Sequence, residues 1–200
     1  MIRRIGSKID AEIPLTQAAY RSGRGTTEQL LTIKLLAEKA ATTPNYVTNV
    51  LLMDMSKAFD RVKRRTFVED LRAILEEDEL HLIKLLMEDV KLAVRIQGQT
   101  GEKFNTNVGV PQGDCLSPIL FTLYLANALK DESDKSDESS ENHPELAPHI
   151  RDHCYANVRR TGRLIPLQYA EDICWLGINS AHSIENIKKK IPGLLEKRNL

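Results

Sequence analysis

The sequence predicts an α+β fold, with helices packed on an antiparallel sheet, and three observations carry that prediction. Several segments repeat apolar residues at helical spacing, among them 30–37 and 67–74. Two apolar runs of strand length each end in acid: Asn49 to Met53 before Asp54, and Leu164 to Ala170 before Glu171 and Asp172. Glycine-centred turns at 97–101 and 161–163 separate extended stretches in the manner of hairpins.

Residues 1–25 read as irregular or mixed structure carrying several basic side chains. Thr26 with Gln29 predicts a capping box opening a helix that Pro44 stops, and a strand follows from Tyr46 to Asp54. Thr66 with Glu69 predicts a second capping box, for a helix through Phe67, Leu71 and Ile74. A third helix spans Asp78 to Asp89 with Leu82, Ile83 and Leu86 on one face. Val90 to Asn107 predicts the first hairpin. Gly109-Val110-Pro111-Gln112-Gly113 reads as a tight loop, after which Ser117 and Pro118 supply the cap and first residue of an apolar helix to Ala128. The acidic, low-complexity stretch that follows predicts a disordered insertion over about 131–148. A second hairpin delivers Leu164 to Tyr169, the acidic pair and Ile173 to Ile178, where Cys174 and Trp175 read as core residues. The terminal amphipathic segment, from Ser183, carries Ile184, Ile187, Ile191 and Leu195. Pro192 predicts a kink or break in it, because an interior proline costs about 3 kcal/mol.

Two hundred residues at 42% apolar content fit one domain, or one domain with a fragment of another. With 28 basic and 28 acidic residues the net charge is zero, so no global positive field advertises nucleic-acid binding. The basic residues are clustered all the same: Arg3, Arg4 and Lys8; Arg21 and Arg24; Lys57, Arg61, Lys63, Arg64 and Arg65; and Lys188 to Lys190. Cys115, Cys154 and Cys174 have no paired spacing, which suits a reducing, intracellular compartment. No apolar run approaches the roughly 18 residues of a membrane span, so neither a membrane nor secretion is expected. His143, His149, His153 and Cys154 fit no tight zinc-finger spacing and read as solvated side chains.

Carboxylates gathered at strand tips repel one another unless a cation lies between them. Magnesium takes oxygen ligands, commonly one or two carboxylates with substrate phosphates, so acidic strand ends far apart in sequence point to phosphoryl-transfer chemistry. Asp54, Glu171 and Asp172 are the candidate metal ligands and catalytic residues.

The stretch Leu52-Met53-Asp54-Met55-Ser56-Lys57-Ala58-Phe59-Asp60 resembles the first catalytic motif of reverse transcriptases. Val108 to Gly113 with Leu116-Ser117-Pro118 resembles their second palm motif, and Tyr169-Ala170-Glu171-Asp172 their Tyr-x-Asp-Asp box. Ala19-Tyr20-Arg21-Ser22-Gly23-Arg24-Gly25-Thr26-Thr27 is similar to the Gly-Phe-Arg-x-x-Arg-Ser-Thr element of non-LTR, LINE-like retrotransposons. The resemblance runs over almost the whole chain in the family's order. It implies a reverse-transcriptase-like palm over 46–200, a fingers remnant with its helix over 1–45, truncated fingers and no thumb. It also implies an RNA-directed DNA polymerase acting on an RNA template, a DNA primer and dNTP, with Mg2+ or Mn2+.

By resemblance, Asp54 bridges both metal ions, and Phe59 lies under the sugar of the incoming nucleotide and excludes a 2′ hydroxyl; the alternative for Phe59 is an ordinary core aromatic. Gln112 and Gly113 lie close to nucleotide and template. Arg21 and Arg24 contact template or phosphate, or else are solvated loop charges. Asp60 reads as capping the turn that follows it. Glu171 departs from the family pattern, which has aspartate there. One added methylene moves the carboxylate by about 1.3 Å along the chain, and displacements near 1 Å can cost about 100-fold in rate. The other reading is therefore an inactive retrotransposon relic that binds nucleic acid or a partner at most.

Overall fold

The computed structural model describes residues 2–133 and 164–200. In chain order these form α1 (Ile2–Glu12), α2 (Thr26–Thr42), β1 (Thr48–Met53), α3 (Ala58–Arg61), α4 (Arg64–Arg72), α5 (Glu77–Met87), β2 (Lys91–Ile96), β3 (Gln99–Asn105), α6 (Ser117–Ser133), β4 (Leu164–Tyr169), β5 (Asp172–Ile178) and α7 (Ala181–Lys197). The expected mixture of helices and antiparallel sheet is what the chain forms. Most of the acidic stretch, the His143, His149, His153 and Cys154 group, and the 161–163 turn lie outside the described residues.

The central sheet has the order β1-β5-β4, antiparallel throughout, while β2 and β3 make a separate hairpin. Alternation gives the sheet two faces. Leu51 and Met53 of β1, with Ile173 and Trp175 of β5, face the main core, built from Ile5, Ile9, Phe67, Leu71, Ile83, Phe121, Tyr124 and Ile191 among others. On the opposite face Ile165, Leu167, Leu176 and Ile178 pack against Leu36 of α2. That cover is incomplete over β1, where Val50 and Leu52 are exposed, as are Leu30 and Leu31 on α2. Trp175 lies in the main core as expected, while Cys174 is half-buried and packs against the edge of the smaller cluster.

Several local expectations are corrected. Residues 2–12, read as irregular, form a helix: Ile5, Ile9 and Ile13 recur every four residues and are all buried. The capping box of α2 lies one residue earlier than expected, with the Gly25 N–H donating to Glu28 Oε1 at 3.1 Å, because Gln29 is drawn away to the Thr16 carbonyl at 2.9 Å. No box forms at Thr66. There α4 has already begun at Arg64, and Glu69 pairs with Arg65 at 3.5 Å instead of reaching back to Thr66. On α5 the buried face is Leu80, Ile83 and Met87, leaving Leu82 and Leu86 exposed. The start of α6 is held by Asp114, whose carboxylate accepts from the N–H groups of Leu116 and Ser117 at 2.7 and 2.6 Å and from the Ser117 hydroxyl at 2.7 Å. That helix runs to Ser133, past the expected end at Ala128. Finally, α7 continues through Pro192. Pro192 lacks the N–H that would reach the carbonyl of Lys188, a residue on the exposed side of the helix, while Ile187, Ile191 and Leu195 stay buried.

Candidate active site

The two acidic motifs meet through strand register. Met53 of β1 is paired with Ile173 of β5, so the same register continued by one residue sets Asp54 against Asp172 on neighbouring strands. Both are exposed, and both lie on the sheet face left open beside Val50 and Leu52. Tyr169 pairs with Asp172 across the β4–β5 hairpin, making Ala170 and Glu171 its two turn residues. Glu171 is half-buried. Ala170 takes φ 55°, the left-handed region that alanine disfavours.

A segment from the N-terminal part holds this turn. Thr16 to Ala18 runs beside β4: Ala18 N–H donates to the Gln168 carbonyl at 3.0 Å, and Gln168 N–H to the Thr16 carbonyl at 2.9 Å. Between them the side chain of Gln17, fully buried, bonds Ala170 directly. The sequence reading passed over Gln17; a glutamine before the Tyr20-Arg21 element is a polar residue like any other until its partners are known. Tyr20 follows at φ 60°, and its hydroxyl is pushed above the ordinary tyrosine range by burial first and then by the neighbouring Glu171 and Tyr169 charges. The 16–20 segment thus stands against the acidic hairpin.

Arg21 and Arg24 are both engaged within the chain. The Arg21 guanidinium meets the Asp10 carboxylate at 2.6 and 3.2 Å and donates to the Pro14 and Gln17 carbonyls at 2.9 and 3.2 Å. Arg24 donates to the Leu15 carbonyl at 2.6 Å and pairs with Glu28 at 2.8 Å. Other basic clusters are paired locally too: Arg4 and Lys8 with Glu79, each near 2.9 Å or closer, and Lys188 with Glu185 at 3.5 Å.

After β1 the chain turns through Lys57 at φ 56° into the single turn of α3. There the Phe59 ring stacks on Phe121 of α6, with centroids 4.2 Å apart, at the edge of the main core. The Gly109–Gly113 loop lies directly against this turn. Gly109 N–H donates to the Val62 carbonyl at 2.8 Å, Val110 N–H to the Phe59 carbonyl at 2.9 Å, and Gln112 Nε2 stands 3.4 Å from Asp60 Oδ1. Asp60 therefore faces the loop amide of Gln112. Gln112 and Gly113 are exposed, with Gly113 at φ 102°. The loop is anchored from behind by Arg64, which donates to the carbonyls of Gly109, Met87, Thr106 and Val108.

An exposed carboxylate just past the end of β1 and another at the start of β5 are the donor type that a magnesium ion uses together with substrate phosphates. Among the described residues no three His, Cys, Asp or Glu side chains gather as a metal site. The residues therefore fit a divalent ion shared with a substrate and do not form a closed protein cage. No helix among the described residues is long and apolar enough to cross a membrane.

The family model for "Reverse transcriptase (RNA-dependent DNA polymerase)" matches residues 1–200. The chain is 32% identical over 123 residues to the "Probable RNA-directed DNA polymerase from transposon X-element" of Drosophila melanogaster, covering 60% of this chain and 13% of that protein. It is 30% identical over 120 residues to the "RNA-directed DNA polymerase from mobile element jockey" of Drosophila funebris, again 60% of this chain and 13% of that one. The chain thus spans a small part of the length of these curated relatives. Among solved structures, apo telomerase from Candida tropicalis, truncated from its C-terminal domain, superposes with a TM-score of 0.66 over 98% of this chain and 37% of that one. At 15% identity that likeness shows a shared fold. The chain belongs to the reverse transcriptase (RNA-dependent DNA polymerase) family, and the curated relatives it resembles are polymerases of Drosophila mobile elements.

Proposed function

We propose that this chain is the palm, with part of the fingers, of an RNA-directed DNA polymerase that joins dNTP to a primer 3′ hydroxyl on an RNA template. The observation that carries the reading is the β1–β5 register, which opposes Asp54 and Asp172 on the open face of the sheet. We assign residues 1–45 to the fingers part and 46–200 to the palm. A bound Mg2+ or Mn2+ would activate the primer hydroxyl and offset charge on the transferring phosphate.

Asp54, Glu171 and Asp172 are the proposed ligands of that ion. Phe59, fixed against Phe121, presents the floor beneath the sugar. Gln112 and Gly113 stand at the exposed rim of the loop, where an amide can both donate and accept and a glycine lets a nucleotide approach the backbone. Arg21 and Arg24 shape the 14–28 segment through the partners described above, with the template or a phosphate as their proposed further contact. The RNA template finds support in a structural neighbour, telomerase from Candida tropicalis in complex with a fragment of telomeric RNA, which has a TM-score of 0.65.

The inactive, nucleic-acid-binding reading is favoured by one observation: among the described residues, Asp54, Glu171 and Asp172 do not gather as a three-carboxylate metal site. Primer extension on poly(rA)/oligo(dT) with Mg2+ or Mn2+ separates the readings. Extension that Asp54→Ala abolishes and Glu171→Asp raises by up to about 100-fold supports the polymerase. Absence of extension from the native chain and from Glu171→Asp, with the fold intact, supports the inactive reading.

A further inference from the structure

We propose that Gln17 is a positioning residue for Glu171: its amide fixes the backbone of Ala170 and thereby the direction in which the next side chain leaves the hairpin. The inference rests on the polymerase reading for its consequence in catalysis, and on geometry for the clamp itself.

Gln17 is 0% exposed. Its Oε1 accepts from the N–H groups of Ala170 and Ala19, both at 3.0 Å, and its Nε2 donates to the Ala170 carbonyl at 3.2 Å. One amide therefore satisfies both backbone polar groups of a single residue, 153 positions away in the chain. That residue is an alanine held at φ 55°, where a non-glycine backbone persists only if its surroundings over-determine it. A glycine would adopt this turn without help; alanine needs the clamp.

The clamp is itself braced. The Gln17 carbonyl accepts from Arg21 at 3.2 Å, and Arg21 is tied to Asp10 of α1 by two charge-assisted bonds. Flanking backbone bonds from Thr16 and Ala18 to Gln168 fix the register of the segment against β4, and Gln29 of α2 donates to the Thr16 carbonyl at 2.9 Å. A continuous set of hydrogen bonds thus runs from α1 through Arg21 and Gln17 to the turn that carries Glu171. A shift near 1 Å at a reacting centre can cost about 100-fold in rate, so a turn free to relax would misplace that carboxylate.

The test uses the 200-residue chain with Gln17→Met, which keeps the volume and removes every side-chain hydrogen bond of that residue, and Gln17→Glu. In this buried place the glutamic acid side chain favours its neutral form, which keeps one donor and one acceptor for Ala170. Amide hydrogen exchange read by NMR should show Ala170 exchanging about tenfold faster in Gln17→Met than in the native chain, with Trp175 and Leu176 unchanged and Gln17→Glu close to native. In primer extension, Gln17→Met should lower kcat about tenfold with KM for dNTP within about twofold, and Gln17→Glu should restore most of it. Unchanged exchange at Ala170, or equal acceleration throughout β5, overturns the proposal, as does an unaltered kcat in an active protein. Absence of extension from both the native chain and Glu171→Asp refutes the polymerase reading separately, and the exchange at Ala170 then decides the clamp.

Discussion

A Cβ placed on Gly109 would stand 2.8 Å from the carbonyl oxygen of Asp60, so the turn after β1 and the loop before α6 touch backbone to backbone. Gly109 also takes φ 78°, in the left-handed region. Two motifs about fifty residues apart are thereby locked together with no room for a side chain. Gly109→Ala is expected to destabilise the fold by about 2 kcal/mol or more, from the left-handed backbone and the clash together, read as a lower urea midpoint. Gly113→Ala has no such contact within 4 Å, only the strained φ, and should cost less.

Arg64 supports the same loop from the other side. Its guanidinium is half-buried, and burial pulls its pKa below the usual arginine value without any carboxylate to offset it. Its partners are carbonyls of Met87, Thr106, Val108 and Gly109 together with the Thr106 hydroxyl. Lysine has neither the planar fork nor the donors to serve them all. Arg64→Lys should lose about 1–3 kcal/mol and Arg64→Ala at least as much, measured by chemical unfolding, since carbonyls left unpaired lose their compensation.

Glu79 is nearly inaccessible, with a side chain 2% exposed between Lys8 and Arg4. The Lys8 hydrogen bond, helped by the Glu76 N–H and the two positive charges, holds its carboxyl below the usual glutamate value against the opposing effect of burial. A depressed folded-state pKa gives stability that is complete above the unfolded value and is lost as pH falls through the folded one. The native chain should therefore lose thermal stability below about pH 4.3, the ordinary glutamate value. Glu79→Gln should show a lower Tm at neutral pH and a flatter acid limb. Parallel acid limbs in the two proteins would contradict this.

Pro192 lies inside α7 with no break in the helix. Replacing it by alanine restores one helical hydrogen bond and removes the ring's strain, a gain of up to about 3 kcal/mol, reduced by roughly 1 kcal/mol for the freer unfolded chain. Pro192→Ala is expected to raise Tm, and a lowered Tm would mean that the proline's shape is needed beside Ile191 and Leu195.

Near-neighbour chemistry was sufficient for much of this protein. The apolar runs ending in Asp54 and in Glu171-Asp172, the turn at Gln97-Gly98 and the helix at Ser117-Pro118 are each specified by residues within a few positions of one another, so they are legible in the sequence. The helix at 2–12 is legible as well, through the four-residue spacing of Ile5, Ile9 and Ile13. What only the tertiary structure decided is what depends on distant partners. Sequence spacing could not tell that Arg21 is tied to Asp10, or that Gly109 rests on the backbone of Asp60. Least of all could it mark Gln17, whose two hydrogen bonds to Ala170 exist only once α1, α2 and the sheet have packed. A buried polar side chain takes its meaning from the groups that replace water around it, and those groups are set by the whole fold.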